Sequence, residues 1–134
     1  MKFAKSLLLL LIFACCRFLV NAQAEVNSLL PAEFKALAAK TKGIIIDVRN
    51  KEEYDFAHIE NAIQVGVESE DFIYRIRELD KNKAYFVYCS MDKRSDTAIH
   101  IMQSEGFKNV YGLKGGFLAW KKEQLPVVKH AHNQ

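Results

Sequence analysis

The chain has 134 residues, half of them hydrophobic, with 19 basic and 16 acidic side chains and a formal charge of +3. That length suits one small domain around a single core. The charge excess lies wholly in residues 1–24, and residues 25–134 carry 16 side chains of each sign, which removes any charge-based case for nucleic acid or an anionic membrane surface as partner.

Lys2 and Lys5 precede ten apolar residues, Leu7 to Cys16, and Ala22-Gln23-Ala24 places small residues before Glu25. A basic start, a short apolar stretch and an Ala-x-Ala exit mark a secretory signal peptide over 1–24. The apolar run is short of the roughly 20 residues of a membrane span, and Arg17 closes it. The expected product is therefore a periplasmic or secreted domain, 25–134, without stable membrane association. The alternatives are a membrane anchor through an uncleaved leader, or lipidation near Ala14-Cys15. Cys15 and Cys16 belong to the leader, so Cys89 is the one cysteine of the remaining chain. It has no intrachain disulfide partner and is either a buried or a reactive thiol.

Pro31 opens a helix with Phe34, Leu37 and Ala38 at helical spacing, and Gly43 ends it. "IIIDV", Ile44 to Val48, is a continuous β-branched run, the pattern of a strand buried on both faces. "NKEEYDFAH" predicts a short helix capped by Asn50 with acids in its first turn. "AIQVGV" predicts a second strand. "EDFIYRIREL" puts Phe72, Ile73, Ile76 and Leu79 on one helical face. "KAYFVYC" is a third strand, and "SDTAIHIMQSEG" a helix with Ser95 as N-cap and Gly106 as its stop. "NVYGL" is a fourth strand. Gly115-Gly116 lead into a last helix, "FLAWKKEQL", closed by Pro126, and 127–134 reads as a polar tail. Strands alternating with helices predict an open, mostly parallel α/β sheet with helices on both faces. Ligands of such sheets lie beyond the carboxyl ends of the strands, where Cys89 stands.

Around Cys89 the physical setting favours thiolate over thiol. A short turn follows it, then a helix whose positive end faces the loop, and Arg94 and Lys93 add cations. The same features suit an anionic oxyacid or sulfur-bound anion. Spacing alone leaves an inert buried cysteine open. Four residues separate Cys89 from Arg94. Tyrosine phosphatases and phosphatase-like arsenate reductases have five in that interval, so the loop is one residue short for a tetrahedral phosphate.

"CSMDKRS", Cys89 to Ser95, resembles the active loop of single-domain rhodaneses, which reads Cys-x-x-Gly-x-Arg-Ser. "IIIDVRNKEEYDFAHIENAIQV" resembles that family's Asp-x-Arg strand end, Glu-Tyr helix and His-Ile-x-x-Ala turn. "NVYGLKGGFLAWKKEQLPV" resembles its closing segment. The likeness covers about residues 28–128. It implies a rhodanese-like fold and a sulfurtransferase in which Cys89 is the catalytic nucleophile and carries sulfur as a persulfide. Ser90, Met91, Asp92, Lys93, Arg94 and Ser95 would bind the donor, with Asp47, Arg49 and His58 supporting the site. The implied partners are a small sulfur-containing anion such as thiosulfate as donor, and cyanide or a thiol, including a protein thiol, as acceptor. No cofactor or metal is implied. A non-catalytic binding module on the same fold is the alternative.

Two positions depart from the family pattern. Asp92 stands where the loop usually has glycine, and its carboxylate would oppose an anion unless it points outward to Lys93. Glu60-Asn61 replace Pro-Gly, and Asn tolerates a left-handed turn position. His58 is expected in a structural turn, His100 as a helix-surface or packing residue and Trp120 in the core, with His130 and His132 in a frayed end rather than a metal site.

Overall fold

The apolar strands assemble in parallel, and their alternate residues feed two cores. The computed structural model describes residues 25–130. Its elements are β1 (Asn27–Leu29), α1 (Pro31–Thr41), β2 (Ile44–Asp47), α2 (Lys51–Phe56), β3 (Ala57–Ile59), β4 (Ile63–Gln64), α3 (Phe72–Arg77), β5 (Ala84–Tyr88), α4 (Lys93–Ser104), β6 (Asn109–Leu113), α5 (Gly116–Lys122) and β7 (Val127–Lys129). Five strands form a sheet in the order β1-β6-β5-β2-β4, with every adjacent pair parallel. A separate antiparallel ribbon joins β3 to β7.

Successive residues of a strand point to opposite faces. Tyr85, Val87 and Cys89 accordingly join one core with Phe72 and Ile76 of α3 and Ala98, Ile99 and Met102 of α4. Phe86 and Tyr88 join the other, with Phe34 and Ala38 of α1 and Phe117 and Trp120 of α5. This confirms the expected α/β sheet with helices on both faces. β2 and β5 lie side by side with Asp47 opposite Tyr88. After β2 the chain moves to one side, toward β4, and after β5 to the other, toward β6. The crevice at their carboxyl ends is thus the topological switch point of the sheet.

Several local expectations hold. The Asn50 side chain accepts the Glu53 N–H at 2.8 Å and caps α2. Asn61 takes the left-handed turn position, with φ 64°. Trp120 is buried, and its indole N–H donates to the Pro126 carbonyl at 3.0 Å. Others are corrected. Helix α4 begins at Lys93, not Ser95, and Asp92 occupies its N-cap position without capping through its side chain. Residues 127–129, expected in the polar tail, form β7, because Val127 and Val128 pair with Ile59 and His58. Ile73, expected on the apolar face of α3, is exposed, whereas Phe72 and Ile76 are buried. Residues 1–24, the expected leader, with Cys15 and Cys16, and the end 131–134, with His132, lie outside the described residues.

Gly43 serves packing rather than helix termination. Lys42 takes the left-handed conformation after α1, with φ 51°. A Cβ on Gly43 would stand 2.2 Å from the Phe86 ring, which is fully buried. Gly-to-Ala changes at compatible backbone stabilise by about 0.4–1 kcal/mol, whereas overpacking a core destabilises by about 1–3 kcal/mol. We therefore expect Gly43→Ala to lower the unfolding free energy by about 1–3 kcal/mol in urea titration. A stabilised variant would show that the ring yields freely.

Candidate active site

Site geometry begins with a buried ion pair at the end of β2. Asp47 is fully buried and Arg49 nearly so. Arg49 Nη2 donates to Asp47 Oδ2 at 2.6 Å and its Nε to Oδ1 at 3.0 Å. The backbone N–H of Arg49 also donates to Asp47 Oδ1, and the Tyr88 hydroxyl donates to Oδ2 at 2.6 Å. Arg49 reaches on to the Ala57 carbonyl at 2.7 Å, and its guanidinium lies 4.3 Å from the centre of the Phe117 ring. Burial, with the Asp47 carboxylate beside it, pushes the Tyr88 phenol well above its usual range, so the hydroxyl stays a donor. Asp47 and Arg49 thus bind each other and tie the end of β2 to Tyr88 of β5 and Ala57 of β3. His58 is buried, stacks on Tyr54 at 3.8 Å between centroids and places Nδ1 2.8 Å from the Tyr54 carbonyl, well within the ribbon.

Cys89 follows β5 directly and is 2% exposed. Its carbonyl accepts the Phe117 N–H at 2.8 Å, and the Ser90 carbonyl accepts the Leu118 N–H at 3.1 Å. The first turn of α5 therefore holds the loop by its carbonyls. This requires glycine at 116: a Cβ there would lie 2.3 Å from the Met91 carbonyl oxygen and 2.6 Å from that of Cys89, at φ 59°. With the carbonyls of Cys89 and Ser90 engaged, no protein acceptor takes the N–H groups of residues 90–95 among the described residues. Six free amides, three of them at the start of α4, are an anion cradle by construction.

Ser95 is buried and is a ligand of the thiol rather than a helix cap. Its hydroxyl donates to the Asp92 carbonyl at 2.8 Å and accepts from Cys89 Sγ at 3.5 Å. Once the sulfur is ionised, it competes with that carbonyl for the single Ser95 proton. Asp92 turns away from the cradle. Its Oδ1 accepts the Gly115 N–H at 2.8 Å, so it pins the loop to α5 and makes no ion pair with Lys93. Its φ of −137° is open to any residue, which explains why glycine is not needed there. Lys93 and Met91 are exposed at the rim.

Arg94 is committed elsewhere than to a bound anion. Its Nη1 and Nη2 donate to the two carboxylate oxygens of Glu53 at 2.7 and 2.9 Å, and Nη2 also donates to Ser90 Oγ at 3.0 Å. Ser90 donates in turn to Glu53 Oε1 at 2.9 Å. The Arg94 guanidinium holds the Glu53 carboxyl far below its ordinary range, down to about 2, and Glu53 raises the Arg94 pKa. Glu68 approaches Arg94 to 3.8 Å. Sequence reasoning missed Glu53 and Glu68. Glu53 is legible in the sequence as an acid in the first turn of α2 and as part of the Glu-Tyr motif, but its partner lies 41 residues away.

A groove of about 620 Å³ opens from Ser90 and runs between α2, α5 and β7. A second, more apolar cavity of about 540 Å³ lies at the opposite end of β2, against Gly43, Ile44 and Trp120, and touches no residue of the Cys89 loop. Among the described residues no cluster of three or more His, Cys, Asp or Glu side chains is arranged to hold a metal ion. No described helix is long and apolar enough to cross a membrane.

The rhodanese-like domain family model matches residues 30–123. A tRNA uridine(34) hydroxylase of Cytophaga hutchinsonii is 34% identical over 97 residues, covering 70% of this chain and 31% of that protein. The chain thus spans about a third of the length of such curated relatives. Among solved structures, a rhodanese-like domain from Anabaena superposes with TM-score 0.71 at 26% identity, over 82% of this chain and 84% of its own. A rhodanese-related protein from Thermoplasma volcanium gives TM-score 0.68 at 27% identity, over 76% and 97%. With Cys89 in its loop at the switch point of a parallel sheet, and with a match over most of its length, this chain belongs to the rhodanese-like domain family.

Proposed function

We propose that the protein is a sulfurtransferase that carries sulfane sulfur on Cys89, exported by its leader 1–24 to the periplasm or medium. The observation that carries this reading is the cradle of free amides around the one described cysteine, fixed from behind by α5. The hydroxylase activity named for the Cytophaga relative belongs to a protein of which this chain spans 31%, so the reading rests on Cys89 itself.

In the first step the Cys89 thiolate attacks the outer sulfur of a donor such as thiosulfate. A bond forms from Sγ to that sulfur, the sulfur–sulfur bond of the donor breaks, and sulfite leaves with the bonding electron pair. Cys89 now carries a terminal persulfide anion, which the cradle amides solvate without water. In the second step cyanide or a thiol takes the outer sulfur, giving thiocyanate or a new persulfide, and Cys89 returns as thiolate. No external oxidant or reductant is needed. The substrate-facing groups are the amides of the loop and the Ser95 hydroxyl, with Lys93 and Met91 at the rim. Arg94 and Ser90 act one step back, through Glu53, by fixing the loop. Small anions and thiols are the partners of this chemistry, with no role for nucleic acid, a resident cofactor or stable membrane attachment.

The second reading, a rhodanese-fold binding module without turnover, draws on Glu53, Glu68 and Asp92. These acids surround the loop and leave Arg94 no free charge for a donor. Phosphoryl transfer is disfavoured by the four-residue interval between Cys89 and Arg94.

Incubation with thiosulfate and cyanide is expected to yield thiocyanate, and mass spectrometry to show one added sulfur on Cys89. Cys89→Ser is expected to abolish both while unfolding within about 1 kcal/mol of wild type. Absence of thiocyanate and of persulfide with several sulfane donors would leave the binding module. Glu53 supplies a pH test. Its folded pKa, about 2, lies below its ordinary 4.5. The stabilisation it gives is therefore complete above pH 4.5 and is lost as pH falls toward 2. Glu53→Gln should flatten the decline of the urea midpoint across that window, and equal slopes for both proteins would show that the clamp adds no stability.

A further inference from the structure

The groove beside Ser90 is far larger than thiosulfate or cyanide requires, and its composition differs from that of the cradle. Phe56 and Leu118, 68% and 50% exposed, stand on its walls as apolar side chains open to water. Lys121 and Lys129 line it as well; neither forms a salt bridge among the described residues, and the Lys121 ammonium stands 5.3 Å from the centre of the Phe117 ring on the groove wall. Arg49 is consumed by Asp47 and Glu53 by Arg94, which leaves Glu52 as the one uncommitted acid against the two lysines. His130, which follows β7, lines the groove as well. Exposed apolar residues grouped beside a reactive centre mark a protein contact, and uncommitted cations set the charge of what docks there.

We infer that this groove docks a protein acceptor whose reactive cysteine lies in an acidic segment bearing an apolar side chain. The inference rests on the sulfurtransferase reading and names the partner of its second step. The apolar side chain sits between Phe56 and Leu118, and acidic side chains meet Lys121 and Lys129. The acceptor cysteine reaches Cys89 along Ser90. Its thiol sulfur forms a bond to the outer sulfur of the Cys89 persulfide, the bond from that sulfur to Sγ breaks, and the acceptor proton passes to the new persulfide. Cys89 is left as thiolate, and the electrons balance with no further reagent. Glu53, Glu68 and Asp92 at the loop make the region poor for a polyanion such as RNA, because the favourable charge is confined to the groove.

The test uses the protein loaded with sulfur on Cys89 and two cysteine peptides of about ten residues, one carrying Asp, Glu and Leu, the other with Lys in place of each acid. Discharge by the acidic peptide is expected to be at least tenfold faster than by the basic one at low salt, and faster than by 2-mercaptoethanol at equal concentration. Lys121→Glu with Lys129→Glu is expected to erase or reverse the ratio, and Leu118→Gln to lower both peptide rates. A ratio is insensitive to the fraction of variant that folds. A ratio near one in the wild type, a ratio unchanged in the double variant, or an equal rate with the small thiol would each overturn the docking site. Fluorescence anisotropy of the labelled acidic peptide on Cys89→Ser protein reads the groove without chemistry. Binding there with no persulfide from any donor would refute the transferase reading alone, and displacement of that peptide by an oligoribonucleotide at lower concentration than by unlabelled peptide would overturn the protein partner.

Discussion

The buried pair of Asp47 and Arg49 is the constraint on which the remaining structure rests. Two charges removed from water are tolerable only if every lone pair and proton finds a partner. Here the carboxylate accepts from Arg49 and from Tyr88, and Nη2 of the guanidinium continues to the Ala57 carbonyl. No buried side-chain nitrogen or oxygen among the described residues lacks a hydrogen bond. The pair therefore joins the ends of β2 and β5 to β3, and Tyr88 closes the ring by accepting the Ile59 N–H at 3.0 Å. Its guanidinium also lies against Phe117 in the first turn of α5. Where α5 starts is thus set from inside the fold.

That position fixes the chemistry of the loop. The two amides at the start of α5 take the carbonyls of Cys89 and Ser90, and a peptide whose carbonyl is drawn back leaves the neighbouring N–H groups facing the other way. Gly116 makes the approach possible. Asp92 adds a bond from the loop to Gly115, and Glu53 ties Arg94 and Ser90 to α2. Two elements, α5 from behind and α2 from the side, hold a six-residue turn, so the cradle exists before any ligand arrives. Preorganised dipoles of this kind stabilise developing charge without reorganisation at the moment of reaction.

Sequence patterns revealed what local physics determines. The β-branched run at Ile44, the Asn50 cap and the apolar strand before Cys89 each read correctly because their signal lies within a few residues. β1, β3 and β7 are three residues long, too short to show a period of two, and exist through their partners. The start of α4 was misplaced because Ser95 resembles a cap, yet its hydroxyl is spent on Asp92 and Cys89. The pairing of Glu53 with Arg94 follows from the packing of α2 beside the loop and leaves no periodic trace. The motif at Cys89 locates the site, but loop sequence alone does not show that Asp92 turns outward to the Gly115 N–H rather than to Lys93, or that Arg94 pairs with Glu53.

The placement of charge separates two tasks that a loop arginine invites one to merge. A guanidinium hydrogen-bonded to both oxygens of a carboxylate, and to a serine beside it, is geometrically strong but electrically spent. It fixes the shape of the turn and offers little net field to an approaching anion. Attraction near the sulfur therefore falls to the amides, which act over a short range and favour a small, close anionic atom over an extended charged body. The outer sulfur of a persulfide is such an atom. Cationic side chains without a salt bridge appear farther out, at Lys121 and Lys129, where the proposed docking site would place the body of a partner rather than the reacting sulfur. Under the proposed sulfur transfer, holding the atom that moves and recognising the molecule that receives it fall to different parts of one surface, joined at Ser90.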